Sequence, residues 1–169
     1  MKSQTRRHKL FELLLLIMFG VLMYISQVIM SSLPNIEIVS LLIILTTRKF
    51  GLKAFYAVYT FVGCEILTYG LSEWAVNYLY VWAVLCLSIF FIRKIDSAAV
   101  YSLVAAIYGL LFGTLCSIPS FLIGGVSLGL AYIISGFWYD ILHCIGNLIL
   151  TAVLYRPLTK ALDRALKTA

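Results

Sequence analysis

The chain has 169 residues, 63% of them hydrophobic and only 12% charged. Water-soluble domains are about half apolar, so this balance excludes an ordinary soluble enzyme or binding module. The net charge of +6 needs its own explanation, which comes from where the basic residues fall.

Apolar runs recur along the whole chain and predict an all-α integral membrane protein, a bundle of six transmembrane helices in a single domain spanning residues 1–169. The first run, Leu10–Met30, follows MKSQTRRHK, the basic N-terminus over residues 1–9. It is too long for a signal-peptide core and no small-x-small cleavage site closes it, so it reads as a retained helix. The second, Pro34–Thr47, is odd. Its length gives about 21 Å of helix against a hydrocarbon core of about 30 Å. Either the helix is truncated or irregular backbone near Ser31–Asn35 dips inward, which is tolerated only where protein or a cavity covers it. The remaining runs are Leu52–Tyr69, Trp74–Ile92, Ala98–Leu122 and Gly129–Tyr155. After Pro157 the tail LTKALDRALKTA, within residues 156–169, has Leu158, Ala161, Leu162, Ala165 and Leu166 on one face. That pattern suits a short amphipathic helix on the inner surface or against a cytoplasmic partner.

All 13 Lys and Arg lie in four clusters: Lys2–Lys9, Arg48–Lys53, Arg93–Lys94 and Arg156–Lys167. The alternate loops around Ser31–Asn35, Gly70–Trp74 and Pro119–Gly129 contain none. Six crossings put every basic cluster on the cytoplasmic side, with both termini inside, as the positive-inside rule requires. Topology thus accounts for the charge, and nothing in it points to nucleic acid.

Glu12, Asp96 and Asp163 lie near basic clusters and read as their counter-charges, while Glu73 sits in an outer loop. Glu37, Glu65 and Asp140 fall in the outer parts of three spans. A carboxylate there costs several kcal/mol unless it faces a polar interior, so it marks a functional site or a helix-binding hydrogen bond. Three at similar depth favour a site. Asn35, Tyr69, Trp74, Asn77, Tyr78, Trp82, Trp138 and Tyr139 share that level. Trp74 and Trp138 read as an interfacial belt. The others suggest an outward-facing pocket walled by aromatic rings, with a few polar groups fixing orientation.

The stretch GFWYDILHCIGN sharpens the expectation. At about 100° per residue, Asp140, His143 and Asn147 share one arc with Gly136 and Thr151, opposite Leu142, Ile145 and Ile149. The polar stripe is expected to line the pocket. The predicted substrate-binding set is therefore Asn35, Glu37, Glu65, Tyr69, Asn77, Tyr78, Asp140, His143 and Asn147.

Other chemistries lack their signatures. A lone intramembrane His without HExxH or CxxC reads as a hydrogen-bonded core residue, so no metal and no cofactor is predicted. Cys64, Cys86, Cys116 and Cys144 fall in four different spans and read as packing residues. G-x-S-x-G occurs once, as GVSLG over Gly125–Gly129, but in an expected loop between apolar spans and not at the strand-to-helix turn that gives the motif its chemistry. There is no phosphate loop; no enzymatic activity is expected of this chain and ATP hydrolysis must come from elsewhere. Ala105, Gly109, Gly113 and Ser117 repeat every fourth residue and predict close internal helix packing.

With its small size, short loops, N-in/C-in topology and outer aromatic pocket, the chain resembles the substrate-binding S components of energy-coupling-factor (ECF) transporters. "LPNIEIVSLLIIL", "NYLYVW" and "AYIISGFWYDILHCIGNLIL" carry the likeness. The resemblance implies capture of a vitamin or vitamin precursor from outside, in the plasma membrane. It also implies delivery to a transmembrane coupling subunit and two ATPase subunits. One departure is that many S components carry A-x-x-x-A in the first helix, where "IMFGVLMYIS" offers only Gly20 opposite Tyr24. With no basic residue on the outer side, the ligand is expected to be flat, nitrogen-containing, and neutral or cationic. Vitamin B6-, cobalamin- and thiamine-related compounds are candidates. Two alternatives stand beside this reading: a stand-alone secondary carrier or channel, and a small intramembrane enzyme using Asp140 and His143 as acid and base.

Overall fold

The structure is a computed structural model that describes residues 2–168, with side chains over 8–167. Lys2, Arg6 and Arg7 of the predicted basic N-terminus fall outside the described side chains. The described residues form α1 (Lys2–Met30), α2 (Val39–Phe50), a 3-10 turn (Gly51–Ala54), α3 (Phe55–Tyr69), α4 (Glu73–Ile92), α5 (Ala98–Cys116) and α6 (Ile118–Thr168), with no strand among them. Five helical stretches are long and apolar enough to cross a membrane: His8–Ile29, Val39–Tyr69, Glu73–Ile92, Ala98–Cys116 and Ile118–Lys167. The expected second and third spans share one of these, since α2 and α3 alone have 12 and 15 residues.

Side-chain contacts give the helix directions. Glu12 meets Lys53 at one end and the Tyr24 hydroxyl meets Thr68 Oγ1 at 2.8 Å at the other, so α1 and α3 run parallel. Gly20 sits at their crossing, where a Cβ would press on the Ala57 carbonyl and Thr60. Phe61 of α3 packs against Tyr78 and Trp82 of α4, which runs the opposite way. Thr47 donates to Cys86 Sγ at 3.3 Å and Arg48 pairs with Asp96, so α2 descends alongside α4 and against α3. The chain reverses at Gly51, whose φ of 61° favours glycine.

Helix α2 is the centre of the bundle. All nine residues from Val39 to Thr47 are buried, which explains a run apolar on every side. Its 12 residues give about 18 Å of helix, shorter than a ~30 Å hydrocarbon core. The helix is short as expected, while Ser31–Ile38 is turns and irregular backbone whose first half, Ser31–Pro34, is exposed and whose second half, Asn35–Ile38, is partly buried. The large buried rings of Phe61, Trp82, Tyr108 and Phe112 pack beside it.

Helices α5 and α6 form an antiparallel pair. Gly109 and Gly113 meet α6 at His143 and Asp140, and Tyr101 stacks near Tyr155 with ring centroids 5.0 Å apart. The small-residue stripe is thus spent on internal packing. Helical bonds carry across Ser117, from Ser117 N to the Gly113 carbonyl and from Phe121 N to the Ser117 carbonyl. The chain turns back at Gly125 (φ 65°), inside the stretch expected to be a loop.

At the end carrying Arg48, Arg93 and Arg156, acids and bases pair. Asp96 is held by Arg48 at 2.8 Å and Arg156 at 3.1 Å, Lys53 pairs with Glu12, and Lys49 with Asp163. The tail after Pro157 is not a separate helix: α6 stays helical through the proline. Leu162 is buried and Asp163 is pinned by Lys49, which holds the extension in line.

Candidate functional site

At the opposite end the irregular segment Ser31–Ile38 roofs two adjoining cavities. The larger, of about 670 Å³, is bounded by that segment, the ends of α1, α3 and α4, and Phe112 and His143. The smaller, of about 310 Å³, lies between α5 and α6 and includes Asp140. Pro34, Asn35, Trp74 and Phe112 line both. Neither lining contains a Lys or Arg.

Glu37 is placed by the start of α2. One carboxylate oxygen accepts from Ser40 N at 2.8 Å, an anion at a helix N-terminus where free N–H groups favour it. The other accepts from the Ser40 hydroxyl and lies 3.1 Å from His143 Nε2. Asn147 Nδ2 donates to Ser40 Oγ at 3.2 Å and to the Ala105 carbonyl at 3.3 Å. The chain Ala105–Asn147–Ser40–Glu37–His143 joins α5, α6 and the top of α2 in one network.

The stripe on α6 is turned inward as expected. Asp140, His143, Asn147 and Thr151 are all buried, while Leu142, Ile145 and Ile149 are exposed. Its members face different things, however. Asp140 accepts from the Gly113 backbone N–H at 2.8 Å, a contact possible because Gly113 has no side chain in the way. His143 packs edge-on to Phe112, with centroids 4.8 Å apart, and reaches the larger cavity. Asn147 lines neither cavity.

Of the other expected residues, Asn35, Glu37, Glu65, Tyr69 and Tyr78 line the larger cavity. Asn35 adopts φ 55° and donates to the Tyr139 carbonyl at 3.1 Å, fixing the roof to α6. The Tyr78 hydroxyl accepts from Gln27 Nε2 at 2.9 Å. Asn77 is buried but lines neither cavity; its Oδ1 lies 2.8 Å from the Tyr80 hydroxyl. Glu65 differs from the rest. It is 9% exposed and borders the larger cavity, and its buried Oε1 has no hydrogen-bond partner among the described residues. Trp82 Nε1, Asn77 Nδ2 and His143 Nδ1 are also buried without partners.

Trp82, Phe112 and Gln27 belong to the lining and were not in the predicted set. Trp82 carried a signal, since it sits one helical repeat from Tyr78 at the depth of the carboxylates. Trp74, expected in an interfacial belt, stands at the wall shared by the cavities, whereas Trp138 is exposed and lines neither. No group of three or more His, Cys, Asp or Glu that could hold a metal ion occurs among the described residues. The cavity has aromatic rings along its wall, with Tyr69, Trp74 and Tyr78 open to it and Trp82 and Phe112 packed behind, and carboxylates at its edge, a form suited to a small molecule. No protein-family model, curated protein or solved structure matches the chain.

Proposed function

We propose that the chain is the membrane-embedded substrate-binding subunit of an ECF-type importer, in the plasma membrane with both termini cytoplasmic. The carrying observation is the ~670 Å³ cavity with an aromatic wall and buried, unpartnered polar atoms, at the end of the bundle that lacks basic residues. Cavities of roughly 300–1,000 Å³ with few polar groups are the usual form of small-molecule sites. The ligand is a vitamin-like compound, flat, nitrogen-containing, and neutral or cationic. The opposite directions of α2 and α3, with the reversal at Gly51, favour six crossings over five. A coupling subunit and two ATPase subunits supply the energy, because this chain has no phosphate loop. Gly20 packs within the bundle, so the coupling subunit docks on a surface other than a small-residue seam around it.

One observation favours a second reading. His143 is hydrogen-bonded to a carboxylate at a cavity wall, as an intramembrane acid–base enzyme would need, although the partner is Glu37 and not Asp140.

The test is native mass spectrometry of the protein extracted from its own membranes. A retained small molecule, bound without ATP and released unchanged, is expected. Release of a chemically altered product would favour the enzyme, and sustained uptake by the chain alone in vesicles under an ion gradient would favour a secondary carrier.

A further inference from the structure

The larger cavity holds two carboxylates, and they are not equivalent. Glu37 is fully engaged: the N-terminus of α2, the Ser40 hydroxyl and His143 Nε2 share its two oxygens. Glu65 has no such company. It projects from α3 beside the cavity, nearly buried, and its buried Oε1 has no hydrogen-bond partner among the described residues. A buried carboxylate without a partner is destabilising by several kcal/mol unless it is neutralised or paired. The counter-charge is not a Lys or Arg of the protein, since the lining has neither, and its histidine, His143, is engaged by Glu37. The walls are aromatic: Tyr69, Trp74 and Tyr78 line the cavity with exposed or half-buried rings, and Trp82 backs them, buried 5.4 Å from Tyr78 and 5.5 Å from Phe112, centroid to centroid. Aromatic faces attract cations. An anion would meet both Glu65 and Glu37 with no compensating charge, and a neutral ligand would leave Glu65 as it is.

We infer that the ligand of this cavity is an organic cation carried on a flat ring system, with Glu65 as its counter-charge and the rings of Tyr69, Trp74 and Tyr78 as its aromatic wall. This rests on the reading of the cavity as a ligand site and narrows the ligand to one charge class. Glu65 is then the specificity residue, whereas Glu37 is a structural one that shapes the roof.

The experiment uses three probes of one shape and different charge, namely 1-methylquinolinium, quinoline and quinoline-4-carboxylate, near neutral pH. Each is titrated calorimetrically into the full chain in lipid nanodiscs, with empty nanodiscs as the blank. The cation is expected to bind at least about tenfold more tightly than quinoline, as a desolvated cation–ring and charge contact implies. The carboxylate should bind weakest. In Glu65→Gln the preference should collapse to within about threefold, with apo thermal stability unchanged or raised. Leu142→Ala, exposed on the far face of α6, is the control that keeps the preference. Quinoline binding as well as the cation, or an intact preference in Glu65→Gln, would overturn the inference while leaving the cavity a ligand site. A fall in apo stability of Glu65→Gln with binding unchanged would overturn it too, because Glu65 would then be packing glue. Binding of none of the three to folded protein would overturn both the inference and the site.

Discussion

The two ends of the bundle treat carboxylates in opposite ways. At the basic end Glu12, Asp96 and Asp163 each meet a Lys or Arg, and these pairs are largely open to solvent. At the other end Glu37, Glu65 and Asp140 are buried or nearly so, beside cavities, and no Lys or Arg is within their linings. Solvated pairs contribute little to stability, whereas buried acids each need a specific answer. Glu37 finds it in a helix terminus and a histidine and Asp140 in a glycine N–H, while the buried Oε1 of Glu65 finds none among the described residues. The first end fixes the position of helices; the second end leaves one group free to recognise something else.

The sharpest way to break this contrast is to ask whether the two ends face different compartments. In a background without the native cysteines, residues at Ser32, Ser72 and Leu122 should be modified by a membrane-impermeant thiol reagent added to intact cells. Those at Ser97 and Ala161 should react only after the membrane is opened. The effect is all or none. Labelling of Ala161→Cys in intact cells would place basic and carboxylate ends on the wrong sides.

A second measurement asks whether the Glu37 network is architecture. Glu37→Leu leaves His143 and Ser40 without their hydrogen-bond partner, at an expected cost of about 1–3 kcal/mol for each buried group left unsatisfied. Asn147→Leu removes hydrogen bonds to Ser40 and the Ala105 carbonyl, with an expected loss of about 1–3 kcal/mol. Both are read by denaturant unfolding of the ligand-free protein in detergent. For Asn147→Leu, affinity per folded molecule should stay near wild type. An affinity loss of tenfold with unchanged stability would move Asn147 back to the ligand.

That expectation reverses what the stripe alone suggests, and the reason is physical. Periodicity tells which arc of a helix turns inward, and it placed Asp140, His143 and Asn147 correctly on the buried side. It cannot tell what lies opposite, because the partners are far away in the chain: Gly113 for Asp140, Glu37 for His143, Ser40 for Asn147. The same limit separates Glu65 from Glu37, two acids of similar depth whose surroundings differ. Helix positions were more legible, since apolar length and breaks are local. The predicted Trp74–Ile92 and observed Glu73–Ile92 differ by one residue, and the loop expected over Pro119–Gly129 contains the turn at Gly125. Pro157 misled because the proline penalty is local, while Leu162 and the Lys49–Asp163 pair hold the helix across it.

The smallest expected effect lies at the basic end. The hydrogen bond from Lys49 holds the Asp163 carboxyl below its ordinary value of 3.8. A depressed acid contributes stability above its unfolded pKa and loses it as pH falls through the folded one. The side chains are 41% and 43% exposed, so solvent screens most of the interaction. Lys49→Met keeps the apolar stem and removes the charge. It should cost about 0.2–1 kcal/mol near neutral pH, the range for exposed pairs. The difference from wild type should start to shrink below about pH 4, where Asp163 of the unfolded chain takes up its proton, and vanish as pH falls through the lower folded value. It should also shrink in molar salt. Unfolding curves of the two proteins at three pH values would measure it. A loss above about 2 kcal/mol, insensitive to salt, lies outside the exposed-pair range. It would mean that this end is as buried as the other, and the contrast between them would be lost.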